Sequence, residues 1–84
     1  MLLNLNIKND PDHKARVYVK PDRVVTDVFG GRGAWWVVKN PEWVKRANEV
    51  VAVPDAADHP FWEQMRDVVG GPAAIGAERV AMVV

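Results

Sequence analysis

The sequence predicts an α+β fold: a small two-layer sandwich in which a mixed, mostly antiparallel sheet of about five or six strands carries two short helices on one face. Three observations lead there. Apolar and polar residues alternate through the first twenty positions, two helix-start signals follow Lys39, and a strand, helix, strand order closes the chain.

Leu3, Leu5 and Ile7 alternate with Asn4, Asn6 and Lys8, and Ala15, Val17 and Val19 alternate with Arg16, Tyr18 and Lys20. This is the period of two expected of strands with one buried face. Between them, NDPDH at 9–13 reads as a turn, because its residues either fix φ or hydrogen-bond their own backbone. Pro21 and Asp22 mark the next break. RVVTDVF at 23–29 and AWWVV at 34–38 flank the loop GGRG, and are expected to form a hairpin whose glycines take positive φ.

Asn40 is placed to cap a short helix that opens on Pro41, with Glu42 early and Lys45 and Arg46 late to match the helix dipole; two turns ending near Asn48 are expected. EVVAV at 49–53 is apolar enough for a buried strand stopped by Pro54. A second helix is expected from Asp58–Pro60 to Gly70 and Gly71, with Phe61, Met65, Val68 and Val69 along one stripe and Trp62 at its border. After GGPAAIG, the segment ERVAMVV at 78–84 reads as a last strand. If it lies at an edge, its unpaired backbone invites a second copy, so a homodimer is expected.

A chain of 84 residues is read as one compact domain over 1–84. The absence of cysteine removes disulfides, thiolate metal sites and thiol nucleophiles, and suits a reducing, cytoplasmic setting. The start MLLNLNIKND lacks the charged residues and apolar run of a signal peptide, and nowhere do about 18 apolar residues run together. Serine is absent too, and Thr26 is the only threonine, which removes most hydroxyl nucleophiles. Net charge is zero, but residues 1–40 hold seven Lys and Arg against four Asp, while residues 41–84 hold four against seven Asp and Glu. The first half is therefore basic and the second acidic.

Three of the four tryptophans fall at 35, 36 and 43. Neighbouring strand residues point to opposite faces, so only one of Trp35 and Trp36 can enter the core. Trp36 shares a face with Ala34 and Val38, and Trp35 with Val37 and Lys39, which buries Trp36 and leaves Trp35 outside. A bulge after GGRG would reverse that choice. Trp43 and Trp62 are read as core side chains.

The face left open then collects Asn4, Asn6, Lys8, Arg16, Tyr18, Lys20, Trp35 and Lys39, with Arg23 and Arg32 near its edges and Asp27 as its only acid. Arg16, Tyr18, Lys20, Arg32, Trp35 and Lys39 are the candidate partner-binding residues. Trp, Tyr and Arg most often dominate protein interfaces. A basic sheet face with aromatics is also the design of single-stranded nucleic-acid platforms. An ordinary solvated face with amphipathic side chains would look similar.

Other chemistry finds little support. One FGGRG is weak as an arginine-glycine RNA-binding segment, and no GK pair with Ser or Thr makes it a phosphate loop. His13 and His59 sit in acidic turns, DPDH and DAADHP, whose Asp10, Asp12, Asp55 and Asp58 read as turn formers and helix caps. A metal site would need both loops to meet, and an Asp–His pair has no Ser or Cys to activate. No catalytic residue, metal or cofactor is expected. The composition, rich in Val, Ala, Gly, Arg and Asp, suits a GC-rich genome, and a short frame of this kind is expected on a phage or mobile element. The leading expectation is a non-enzymatic protein-binding module that modulates a host or assembly partner. The alternative is a nucleic-acid binder using the open face.

Overall fold

The computed structural model describes residues 1–7, 14–29 and 34–80. The turn at 9–13, the glycine loop with Arg32, His13 and the last residues from 81 onward lie outside the described residues. Five strands form one sheet in sequential order: β1 (Leu2–Asn4), β2 (Arg16–Val19), β3 (Val24–Thr26), β4 (Trp35–Val38) and β5 (Glu78–Val80). Every neighbouring pair is antiparallel. The helices α1 (Pro41–Val50) and α2 (Phe61–Arg66) occupy the connection between β4 and β5.

The alternation in the first half sets the two faces. Val17 pairs with Thr26 and Val19 with Val24, and Val24 in turn pairs with Val38, so these side chains share the inner face. They join one buried cluster with Leu5, Ile7 and Ala15, with Val44, Ala47 and Val50 of α1, and with Phe61, Trp62 and Met65 of α2. Both helices therefore cover the same face of the sheet. Thr26 is buried there with its hydroxyl satisfied, donating to Arg16 O at 2.9 Å and accepting from Val28 N at 3.0 Å.

α1 begins where expected. The Asn40 side chain accepts from Glu42 N at 3.0 Å and from Trp43 N at 3.3 Å, and Pro41 opens the first turn. It ends later than expected, and the strand predicted over EVVAV does not form: Glu49 and Val50 complete the helix, Val51 N still donates to Ala47 O at 3.0 Å, and Ala52 and Val53 turn away. Val44, Ala47, Val50 and Val51 recur at helical spacing, and burying that stripe outweighs the strand preference of adjacent valines. Without a strand at 49–53 there is no strand, helix, strand crossover, so the sheet is antiparallel throughout rather than mixed.

α2 is shorter than expected. A 3₁₀ turn (Ala56–Asp58) precedes it, and His59 Nδ1 accepts from Phe61 N at 3.1 Å at its start. The helix stops at Arg66 because the chain must turn through Gly70 and Gly71, whose φ values are 89° and 75°. A Cβ at Gly70 would also lie 3.0 Å from the Ala74 Cβ. Phe61 and Met65 enter the core and Val68 packs against it, but Val69 falls beyond the helix and is 93% exposed. Trp62, expected at the border of the stripe, is instead wholly buried and donates its Nε1–H to Ala56 O at 2.6 Å.

Candidate functional site

The strand register that builds the core also arranges the opposite face in rows. Leu2 pairs with Tyr18, Tyr18 with Val25, Val25 with Val37 and Val37 with Glu78, so an apolar row crosses four strands. One step along, Asn4 pairs with Arg16 and Trp35 with Val80, with Asp27, the first residue past the end of β3, between them. One step the other way, Lys20 N donates to Arg23 O at 2.9 Å, and Lys39 follows Val38, the partner of Val24. Alternation places Lys20 and Arg23 at that end of the open face, whereas Lys39, past the end of β4, lines a cleft with α1.

Trp35 lies on the open face, as alternation requires, but it is not exposed. It retains only 8% of its accessible surface, whereas Trp36, on the inner face, is half-buried. The reason is local. Arg16 lies over the Trp35 ring, with its Cζ 4.9 Å from the centroid, and Tyr18 packs at 6.0 Å, tilted by 47°. Arg16 is held in place by Asp27, which accepts from Arg16 N at 2.7 Å and brings its other oxygen to 3.8 Å from the guanidinium. Trp36 meets Phe29 edge-on at 6.0 Å and packs only partly against the core.

Of the six residues singled out from sequence, Arg16, Tyr18 and Trp35 form one contact cluster. Lys20 lies at the end of the same face, Lys39 lines the cleft beside α1 instead, and Arg32 lies outside the described residues. The apolar members Leu2, Val25, Val37 and Val80 were not singled out. Alternation had already set Val37 beside Trp35 and could have placed Leu2, but the adjacent pair Val24–Val25 hides which member faces out. Asp27 was read as the only acid of this face; Glu78, paired with Val37, is a second, and Asp27 is the residue that orients Arg16.

On the helical layer, Arg46 lies over Trp43 at 5.5 Å and over Phe61 at 5.1 Å, and donates to Gln64 at 3.2 Å. Trp43 is half-buried and packs against the core, 5.4 Å from Phe61. Asn48 ties α1 to the sheet by donating to Lys20 O at 3.1 Å. Between that helix and the turn at 20–23 lies an open cleft of about 610 Å³, where Lys39 and Lys45 face Asp22 and Glu49. Among the described residues no three His, Asp or Glu side chains converge, and no buried side-chain polar atom lacks a hydrogen bond. Among the same residues no helix is long and apolar enough to cross a membrane.

No family model matches the chain, and neither a curated protein nor a solved structure matches it.

Proposed function

We propose that the chain is a small non-enzymatic protein-binding module whose open sheet face receives the partner, acting in the cytoplasm as a phage- or mobile-element-encoded modulator of a host or assembly protein. The observation that carries this reading is the apolar row Leu2, Tyr18, Val25 and Val37, in which Leu2 is exposed, Tyr18 and Val37 are half-buried and Val25 is buried, bordered by Arg16 at one side and Lys20 and Arg23 at the other. An apolar centre with a polar rim is the anatomy of a protein interface, and Tyr and Arg are among its usual energetic anchors. These basic residues favour a partner that presents acidic side chains at that rim. Self-association through an edge strand belongs to the same reading; β5 forms one edge of the sheet and β1 the other.

The nucleic-acid alternative loses its main support in the burial of Trp35. Base stacking needs a free ring face, and here the Arg16 guanidinium takes that place. Capture from the native host, with and without nuclease, separates the two readings. Val37→Lys and Tyr18→Ala are expected to abolish capture of a protein that nuclease treatment leaves bound, while circular dichroism remains that of the parent. Capture that both variants preserve, or that nuclease abolishes, sinks the protein-binding proposal. Affinity that falls with salt at a logarithmic slope near −0.7 per contact would point instead to phosphates.

A further inference from the structure

We propose that the β1 edge pairs with the β1 edge of a second copy, joining two sheets into one through residues Leu2 to Asn4. This inference is independent of what binds the open face. It begins with the direction of the backbone groups. Met1 N donates to Val19 O at 2.9 Å, Val19 N donates to Met1 O at 2.8 Å, and Leu5 N donates to Ala15 O at 2.8 Å. Met1, Leu3 and Leu5 therefore turn their amides and carbonyls toward β2, and Leu2 and Asn4 turn theirs outward, since successive residues of a strand alternate in direction. Among the described residues nothing bonds those outward groups.

The free edge is bounded. Asn6, the next outward residue, is already engaged: its amide donates to Ala57 O at 3.0 Å and its side chain to Asp58 Oδ1 at 2.9 Å. Only Leu2 and Asn4 remain, and they stand symmetrically about Leu3. An antiparallel second copy with its two-fold axis at Leu3 sets each Leu2 opposite Asn4 of the other copy, so every outward group finds a partner. Centring on Asn4 would oppose Leu2 to the occupied Asn6 of the other copy. The side chains agree with this register. Leu3 meets Leu3 of the other copy on the core side, where directly opposed residues approach most closely, and Leu2, 48% exposed on the open face, comes diagonally near its own counterpart.

Charge also favours a copy over other strands. Two-fold pairing sets an edge against itself, so any charged residue would be drawn toward its like, and natural edges use such charges to prevent association. Residues 1–7, MLLNLNI, carry no charged side chain, and the Met1 ammonium is turned away from the edge onto Val19 O. The interface is short, so the dimer is expected to be reversible and to depend on concentration.

Asn4→Pro provides the test, because Asn4 N–H points outward and its loss removes no intrachain hydrogen bond; proline is tolerated at such edge positions. Sedimentation velocity of the untagged full chain, from low to high micromolar, should show a monomer–dimer equilibrium. Asn4→Pro should weaken that equilibrium at least about tenfold, since each copy loses one interface hydrogen bond. If the proline variant unfolds, Leu2→Lys replaces it: the two added charges meet near the two-fold axis and should likewise yield monomer. Amide exchange adds a residue-specific readout, with Leu2 and Asn4 becoming protected only at the higher concentrations. A parent chain that stays monomeric at high micromolar concentration overturns the inference, as does a dimer that survives both folded variants.

Discussion

The two faces of the sheet bury tryptophan by different means. Beneath the helical layer, Trp62 is enclosed on all sides, 5.0 Å from Phe61 and tied by its ring N–H to Ala56 O. On the opposite face no helix covers Trp35, yet it is nearly as inaccessible, because Arg16 and Tyr18 on β2 reach across β3 and lie against it. Trp36 completes the lesson: it lies on the face that the helices cover but stays half-buried. Alternation decides which face a strand residue joins. Burial is decided by what its neighbours on that face can reach.

The largest effect that could break this comparison is at Trp62. Trp62→Ala should cost about 3 to 5 kcal/mol, which approaches the whole stability of a domain that holds roughly 0.05 to 0.15 kcal/mol per residue. Urea melts followed by circular dichroism should show a largely unfolded or strongly destabilised protein. A loss under about 1 kcal/mol would mean that the helical layer does not depend on this ring.

Next comes the pair on β4. Trp35→Ala should cost about 2 to 4 kcal/mol despite its place on the open face, and Trp36→Ala less, about 1 to 3. The order matters more than the values. If Trp36→Ala proves the more damaging in the same melts, the cover that Arg16 and Tyr18 give Trp35 has little energetic weight.

A double-mutant cycle between Arg16→Ala and Trp35→Ala sharpens the point, with an expected coupling of about 0.5 to 1 kcal/mol from the cation over the ring. Additive losses would show that Arg16 merely rests there. Asp27→Asn should reduce the same coupling, because Asp27 fixes the Arg16 backbone and guanidinium.

The smallest effect lies on the outer surface of the helical layer. Arg66 donates to both carboxylate oxygens of Asp67, at 3.0 and 3.1 Å, and holds that carboxyl below its ordinary value of 3.8. A lowered carboxylate pKa supports the folded state above the unfolded value and ceases to do so as pH falls through the lowered one. Asp67 is fully exposed to solvent, so Asp67→Asn should leave melts at pH 7 almost unchanged and differ from the parent only in strong acid. A shift at pH 7 as large as that of Trp35→Ala would contradict this ranking.

Much of the fold was legible because its signals are local. Leu3, Leu5 and Ile7, and then Ala15, Val17 and Val19, fix two strands and their buried face by period alone. Asn40 followed by Pro41 fixes the start of α1 through capping chemistry that involves only adjacent residues. Gly70 and Gly71 mark the turn that follows α2, although the helix itself ends earlier, at Arg66. The candidate site was legible to the same depth: alternation put Arg16, Tyr18 and Trp35 on one face without any knowledge of strand order.

What the sequence left open depends on partners distant along the chain. EVVAV suits a strand or a helix about equally on local grounds, and it became the end of α1 because Val50 and Val51 could join the stripe of Val44 and Ala47 over the sheet. The border position of Trp62 became the centre of the core only once Ala56 and Phe61 were brought around it. Trp35 was assigned its face by covalent geometry, which every strand obeys, but its burial required β2 to lie two strands away in a register that sets Arg16 level with it. Periodicity is a property of the backbone and can be read from residue order. Enclosure is a property of packing, and it exists only after the strands and helices have met.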